Sequence, residues 1–122
     1  MRDIALAMGE RRKYNRNKIK FFSRVYDRKT KQLIGYLVDL SSNGAMLISQ
    51  TRLLPQEILH LQMDLPENFN KSHLFLTGQI VWSEKDGISD LFKTGVQWIN
   101  TSPEDISFLS KLIKEFGISH QT

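Results

Sequence analysis

Ile58-Leu59-His60-Leu61-Gln62-Met63-Asp64-Leu65 alternates apolar and polar side chains without a break. Successive strand residues point to opposite faces, so Leu59, Leu61, Met63 and Leu65 share one side and His60, Gln62 and Asp64 the other. That is a strand with one face buried and one face wet. The same period runs outward in both directions. Downstream, Pro66–Ser72 reads as a loop and His73–Trp82 as a strand, with Leu74, Leu76, Ile80 and Trp82 on one side and Thr77 and Gln79 on the other. Gly78 in mid-strand implies a bulge, a bend or a close neighbour. Ser83–Asp90 is a turn, and Phe92–Ile99 a further strand with Val96 and Trp98 inward. Upstream, Leu53–Glu57 is a connection, Gly44–Ser49 and Leu33–Leu40 are strands, and Asp27–Gln32 is a turn. Lys18–Tyr26, basic but β-prone, is the first strand.

The last segment changes period. Ser102 at the N-cap, Pro103 at the first helical position and Glu104 and Asp105 in the first turn are helix-start signals. Ile106, Leu109, Ile113 and Phe116 then recur at helical spacing until Gly117. Six short strands and one amphipathic helix predict a mainly β fold: a six-stranded antiparallel barrel with a C-terminal helix packed across it. The expected organisation is a leader over 1–9, one domain over 10–117 and a disordered tail over 118–122. Within the domain the barrel spans about 17–100 and the helix about 103–116.

At 122 residues the chain is the size of a single domain. No run reaches the apolar length of a membrane span, and the patch Ile4–Met8 is too short for a secretory signal. Without cysteine there is no disulfide frame or thiol nucleophile, and a cytoplasmic setting is the expectation. His60, His73 and His120 are scattered, so no metal site is expected. No Ser/His/Asp spacing, phosphate-cradling glycine loop or carboxylate pair is present, so the chain reads as a non-enzyme without a cofactor. Charge is uneven. Residues 1–31 carry eleven Lys/Arg against three acids, and the remainder six against ten. A basic leading third suits an anionic partner.

Two segments carry the candidate chemistry. In Glu10-Arg11-Arg12-Lys13-Tyr14-Asn15-Arg16, three guanidinium forks can grip phosphate oxygens or the guanine N7/O6 edge, or stack on a purine. The same segment also suits a solvated basic leader. In Asp39-Leu40-Ser41-Ser42-Asn43-Gly44, Gly44 fits a turn position with positive φ, and Asp39, Ser41 and Asn43 can bond to local backbone. That alone describes a tight hairpin. Turned outward, Asp39 can accept from guanine N1–H and N2–H₂, Ser41 can serve a phosphate or the base, and Gly44 lets a ligand approach. Trp82 is a barrel core residue or a rim residue able to stack on guanine.

Arg-x-x-x-Arg followed, after 22 intervening residues, by Asp-x-Ser-x-x-Gly resembles the PilZ domain family. Leu65-Pro66, Gly78-Gln79-Ile80-Val81-Trp82, Gly95-Val96-Gln97-Trp98 and the final helix follow the same family order, so the resemblance covers about Glu10 to Phe116. It implies a cyclic di-GMP receptor with Arg12, Arg16, Asp39, Ser41 and Gly44 as ligand-binding residues and Asn43 and Trp82 as secondary contacts. It also implies a flexible arginine arm that closes over ligand on the barrel wall. Arg11, immediately before the pair, resembles members that take a stacked, intercalated pair of ligand molecules. The output implied is regulation of a downstream protein in motility, polysaccharide and biofilm formation, or virulence. Two other functions fit the residues: a small basic barrel binding nucleic acid, with Tyr14, Phe21, Phe22 and Tyr26 as stacking groups, and a PilZ-type adaptor without ligand. The complete motifs disfavour the adaptor.

Overall fold

The fold is taken from a computed structural model that describes residues 17–19, 23–67, 69 and 71–119. Eight strands and one helix follow in chain order: β1 (Asn17–Ile19), β2 (Arg24–Asp27), β3 (Leu33–Leu40), β4 (Gly44–Ser49), β5 (Ile58–Asp64), β6 (His73–Lys85), β7 (Phe92–Trp98), α1 (Pro103–Phe116) and β8 (Gly117–Ser119). Strands β2-β5-β6-β7-β4-β3 are neighbours in that order, and a β2–β3 pairing closes them into a six-stranded antiparallel barrel. β1 and β8 continue the sheet beyond β3.

The expected first strand is in fact two. Arg24 and Val25 pair with Tyr36 and Gly35, whereas Asn17 and Lys18 pair with Leu40 and Asp39. Both pieces therefore lie along one edge of β3, at opposite ends of it. The tail is corrected too. Residues 118 and 119 were expected to be disordered, but Ile118 pairs with Lys18 and Ser119 with Asn17, since β1 leaves an open edge. Residues 120–122, and the leader over 1–9, lie outside the described residues.

Alternation fills the barrel as the strand patterns require. Leu61, Met63, Leu74, Leu76 and Ile80 are buried with Val25, Leu37, Leu40, Leu47, Val96 and Trp98 in one cluster. Gly78 answers to a close neighbour: a β-carbon there would run into the Val96 side chain and press on the Trp98 ring. Two hydroxyls share the interior, Ser83 and Thr94, bonded at 2.8 Å.

The helix starts as its sequence predicts, with the Asp105 N–H donating to the Ser102 hydroxyl at 3.0 Å. Its buried face is rotated from the expected stripe. Leu109 and Leu112 are fully buried in the barrel cluster with Phe108 and Ile113 against it, while Ile106 is 42% exposed. Phe108 also meets the Phe69 ring edge-on at 5.1 Å, so the β5–β6 loop and the helix hold one another.

Trp82 overturns its phase. Ile80 faces Val96 and Trp82 faces Gly95, so Val81 is an extra residue on β6 at that point. A bulge of this kind reverses which residues face inward. Ile80 before it and Ser83 after it are buried, whereas Trp82 packs with Met46, Ile48, Val38 and Leu91 in a separate, outer cluster.

Candidate functional site

The outer cluster lies across the strands that carry the Asp39–Gly44 segment. β3 also has a register shift between Leu37 and Asp39. Leu37 and Leu40 both remain in the interior cluster, while Asp39 pairs with Met46 of the outer one. Cross-strand partners share a face. One rung of the ladder therefore runs Asp39, Met46, Gly95, Trp82 across β3, β4, β7 and β6, and Lys18 of β1 is the backbone partner of Asp39. Gly95 has a steric reason: a β-carbon there would stand 2.5 Å from the Trp82 indole nitrogen. Its bare backbone lets the indole lie against the sheet.

Asp39 is 3% exposed, a carboxylate buried on the outer side of the barrel wall. Beyond it the chain turns tightly. The Ser41 N–H donates to the Gly44 carbonyl at 2.8 Å. The Ser41 hydroxyl accepts from the Gly44 N–H at 3.1 Å and the Asn43 N–H at 3.3 Å. Trp98 pins the turn from inside the barrel: its N–H donates to the Asn43 carbonyl at 2.9 Å and its indole N–H to the Ser41 carbonyl at 3.3 Å. The hairpin is thus rigid before any ligand is considered.

Gly44 is required here for a reason other than the one expected. No glycine among the described residues has positive φ. Gly44 opens β4, and a β-carbon there would strike the Val96 carbonyl of the neighbouring strand. Close approach of two backbones excludes a side chain at that point.

Arg11, Arg12 and Arg16 lie outside the described residues. Their covalent neighbour does not: Asn17, next after Arg16, pairs with Leu40, and Lys18 with Asp39. The arginine-bearing segment consequently joins the sheet beside the Asp39–Gly44 turn. Asn43 is exposed in that turn, and Trp82 closes the other end of the Asp39 rung. Met46 and Gly95, which complete the rung, were missed by reading the sequence, because the bulge that sets Trp82 opposite Gly95 shows only in the strand pairing.

The described residues contain no grouping of three or more His, Cys, Asp or Glu suited to a metal ion. They contain no helix long and apolar enough to cross a membrane.

The sequence matches the family model for the PilZ domain over residues 10–115. Among solved structures it is similar to the PilZ domain with c-di-GMP of YcgR from Escherichia coli, at 16% identity and a TM-score of 0.62, over 86% of this chain and 93% of that one. It is also similar to the inhibitor of motility MotI/DgrA of Bacillus subtilis, at 17% identity and a TM-score of 0.65, over 86% of this chain and 51% of that one. A third likeness is to the Borreliella burgdorferi PlzA protein in complex with c-di-GMP, at 10% identity and a TM-score of 0.52, over 92% and 55%. The chain spans about half the length of these last two proteins. No curated protein is matched by the sequence.

Proposed function

The chain belongs to the PilZ domain family, and on that premise we propose that it is a receptor for cyclic di-GMP, bound on the outer wall of the barrel between Arg11, Arg12 and Arg16 and the Asp39–Gly44 turn. One observation carries the reading. The β1–β3 ladder pairs Asn17, next after Arg16, with Leu40 and Lys18 with Asp39, at a turn already fixed by Trp98. Two of the similar structures are described as bound to c-di-GMP, which supports the choice of ligand.

Each residue then has a role of its own. Asp39 accepts from the guanine N1–H and N2–H₂ edge. The arginines grip the phosphodiesters or the guanine Hoogsteen edge in bidentate fashion. Ser41 and Gly44 hold the turn open to the ligand, with Asn43 beside them, and Trp82 offers a ring face to a base. Arg11 reaches a second ligand molecule, giving two per chain. Ordering of the arginine segment on binding is the signal, read by a downstream protein. Nothing in this scheme makes or breaks a covalent bond, so the function is reception without catalysis. A cytoplasmic setting, which a cysteine-free chain suits, is part of this reading.

Calorimetric titration with cyclic di-GMP tests it. The native chain should bind, and Arg12→Ala and Asp39→Ala should each lose about ten- to hundred-fold in affinity, the worth of one charge-assisted contact. Failure of the native chain to bind ends the receptor reading. Salt-sensitive binding to single-stranded DNA or RNA that ignores Asp39→Ala would support the nucleic-acid barrel instead.

A further inference from the structure

Lys93 is a cation buried to 5% exposure on the outer wall, not in the barrel interior. It stands two residues before Gly95 on β7, so the two share a face, about 6.6 Å apart along the strand. Its own rung runs Tyr36, Ile48, Lys93, Glu84, directly beside the Asp39–Trp82 rung. Ile48, its apolar neighbour on β4, belongs to the same outer cluster as Met46 and Trp82. No hydrogen bond or ion pair joins the Lys93 ammonium to any described residue, Glu84 opposite it included.

A charge removed from water without a counter-charge is costly, and proteins tolerate one chiefly where an anion completes it. Met46, at the centre of the outer face, supplies no charge of its own. We propose that Lys93 forms an anion subsite on this face and that its anion is a phosphodiester of the bound cyclic dinucleotide. This rests on the receptor reading above and adds to it a contact from β7, outside both sequence motifs. A compact ammonium on a long stem suits a phosphodiester oxygen whose position is fixed by the guanine contacts at Asp39. Buried Ile48, the neighbour of Lys93 on β4, keeps water from one side of the pair.

The test compares native protein, Lys93→Met and Lys93→Arg by calorimetry with cyclic di-GMP, at low and at high salt. Methionine keeps the stem and removes the charge. It should weaken binding about ten-fold or more and flatten its salt dependence, while arginine should stay within about three-fold of native. The thermal midpoint of ligand-free Lys93→Met should equal or exceed the native one, because an unpaired buried charge has gone. If Lys93→Met does not fold, Lys93→Gln serves in its place. Native binding that the methionine variant reproduces overturns the subsite and leaves the receptor reading intact. Equal losses in the methionine and arginine variants also overturn it, by assigning Lys93 to packing. A native chain that binds no cyclic di-GMP removes both.

Discussion

The two sides of the barrel wall bury different chemistry on the same strands. The inner side is apolar, and its few polar atoms answer one another: Ser83 bonds Thr94 and also accepts the Leu53 N–H at 3.0 Å. The outer side buries Met46 and Ile48, and with them a carboxylate, Asp39, and an ammonium, Lys93. Strands β3, β4, β6 and β7 serve both. A sheet face that existed only to be solvated would have no reason to take ionisable groups out of water. The difference separates what holds the fold from what the fold presents, and mutations should divide accordingly.

The largest effect belongs inside. Leu112→Ala removes a fully buried side chain at the helix–barrel contact and should cost about 2–5 kcal/mol of stability. Chemical denaturation should show the midpoint moving at unchanged slope. Cyclic di-GMP affinity, measured on the folded protein, should be retained. A Leu112→Ala variant of native stability that had lost binding would break the division between the two sides.

That leucine also shows how far sequence reading reaches. The helix was legible because capping is local: Ser102, Pro103 and the first-turn acids act within one turn. Its buried face was not, because the barrel end it lies on is assembled from strands distant in sequence, and it selects Leu109 and Leu112 over Ile106. β5 and the first part of β6 were legible from alternation, which one buried face enforces, while β4 and β7, buried on both faces, were legible as short β-prone runs between turns. Where a bulge inserts one residue, alternation misleads: it put Trp82 in phase with Ile80, and the register shift between them turns it to the other face, the outer of the two positions left open for it. The break in the first strand, with its halves on opposite ends of β3, leaves no mark in composition. At the site, the Asp39–Gly44 turn was legible as a turn, but the need for glycine was read as backbone conformation when it comes from the Val96 carbonyl. Lys93 gave no signal, since a lysine in a strand ordinarily reads as solvated.

A smaller effect tests the outer side. Gly95→Ala sets a β-carbon against the Trp82 indole, 2.6 Å from the ring carbon Cε2. The indole is only partly buried and can swing away, so the cost should sit at the low end of overpacking, about 1 kcal/mol. Tryptophan emission should shift toward that of a more exposed ring. An unchanged spectrum and stability would show that Trp82 does not need the bare backbone beneath it.

The smallest effect lies on neither side, in the β2–β3 turn, and it calibrates the other two. The Asp27 carboxylate accepts the Lys29 N–H at 2.9 Å and the Thr30 N–H at 3.0 Å. These bonds, with that of Thr30 the larger influence and desolvation working against it, hold the Asp27 carboxyl below its ordinary value of 3.8. A carboxyl depressed in the folded state stabilises it above the unfolded-state value, and that contribution disappears as pH falls through the folded-state value. Asp27→Asn keeps an acceptor oxygen but not the charge. Native protein should therefore hold a slightly higher thermal midpoint near pH 7, and the gap should begin to narrow near the ordinary carboxyl value and go on narrowing as pH falls through the folded-state value. Because the turn is solvent-screened and touches neither cluster, ligand affinity should not respond. A gap that persisted at pH 2 would assign the difference to something other than the charge.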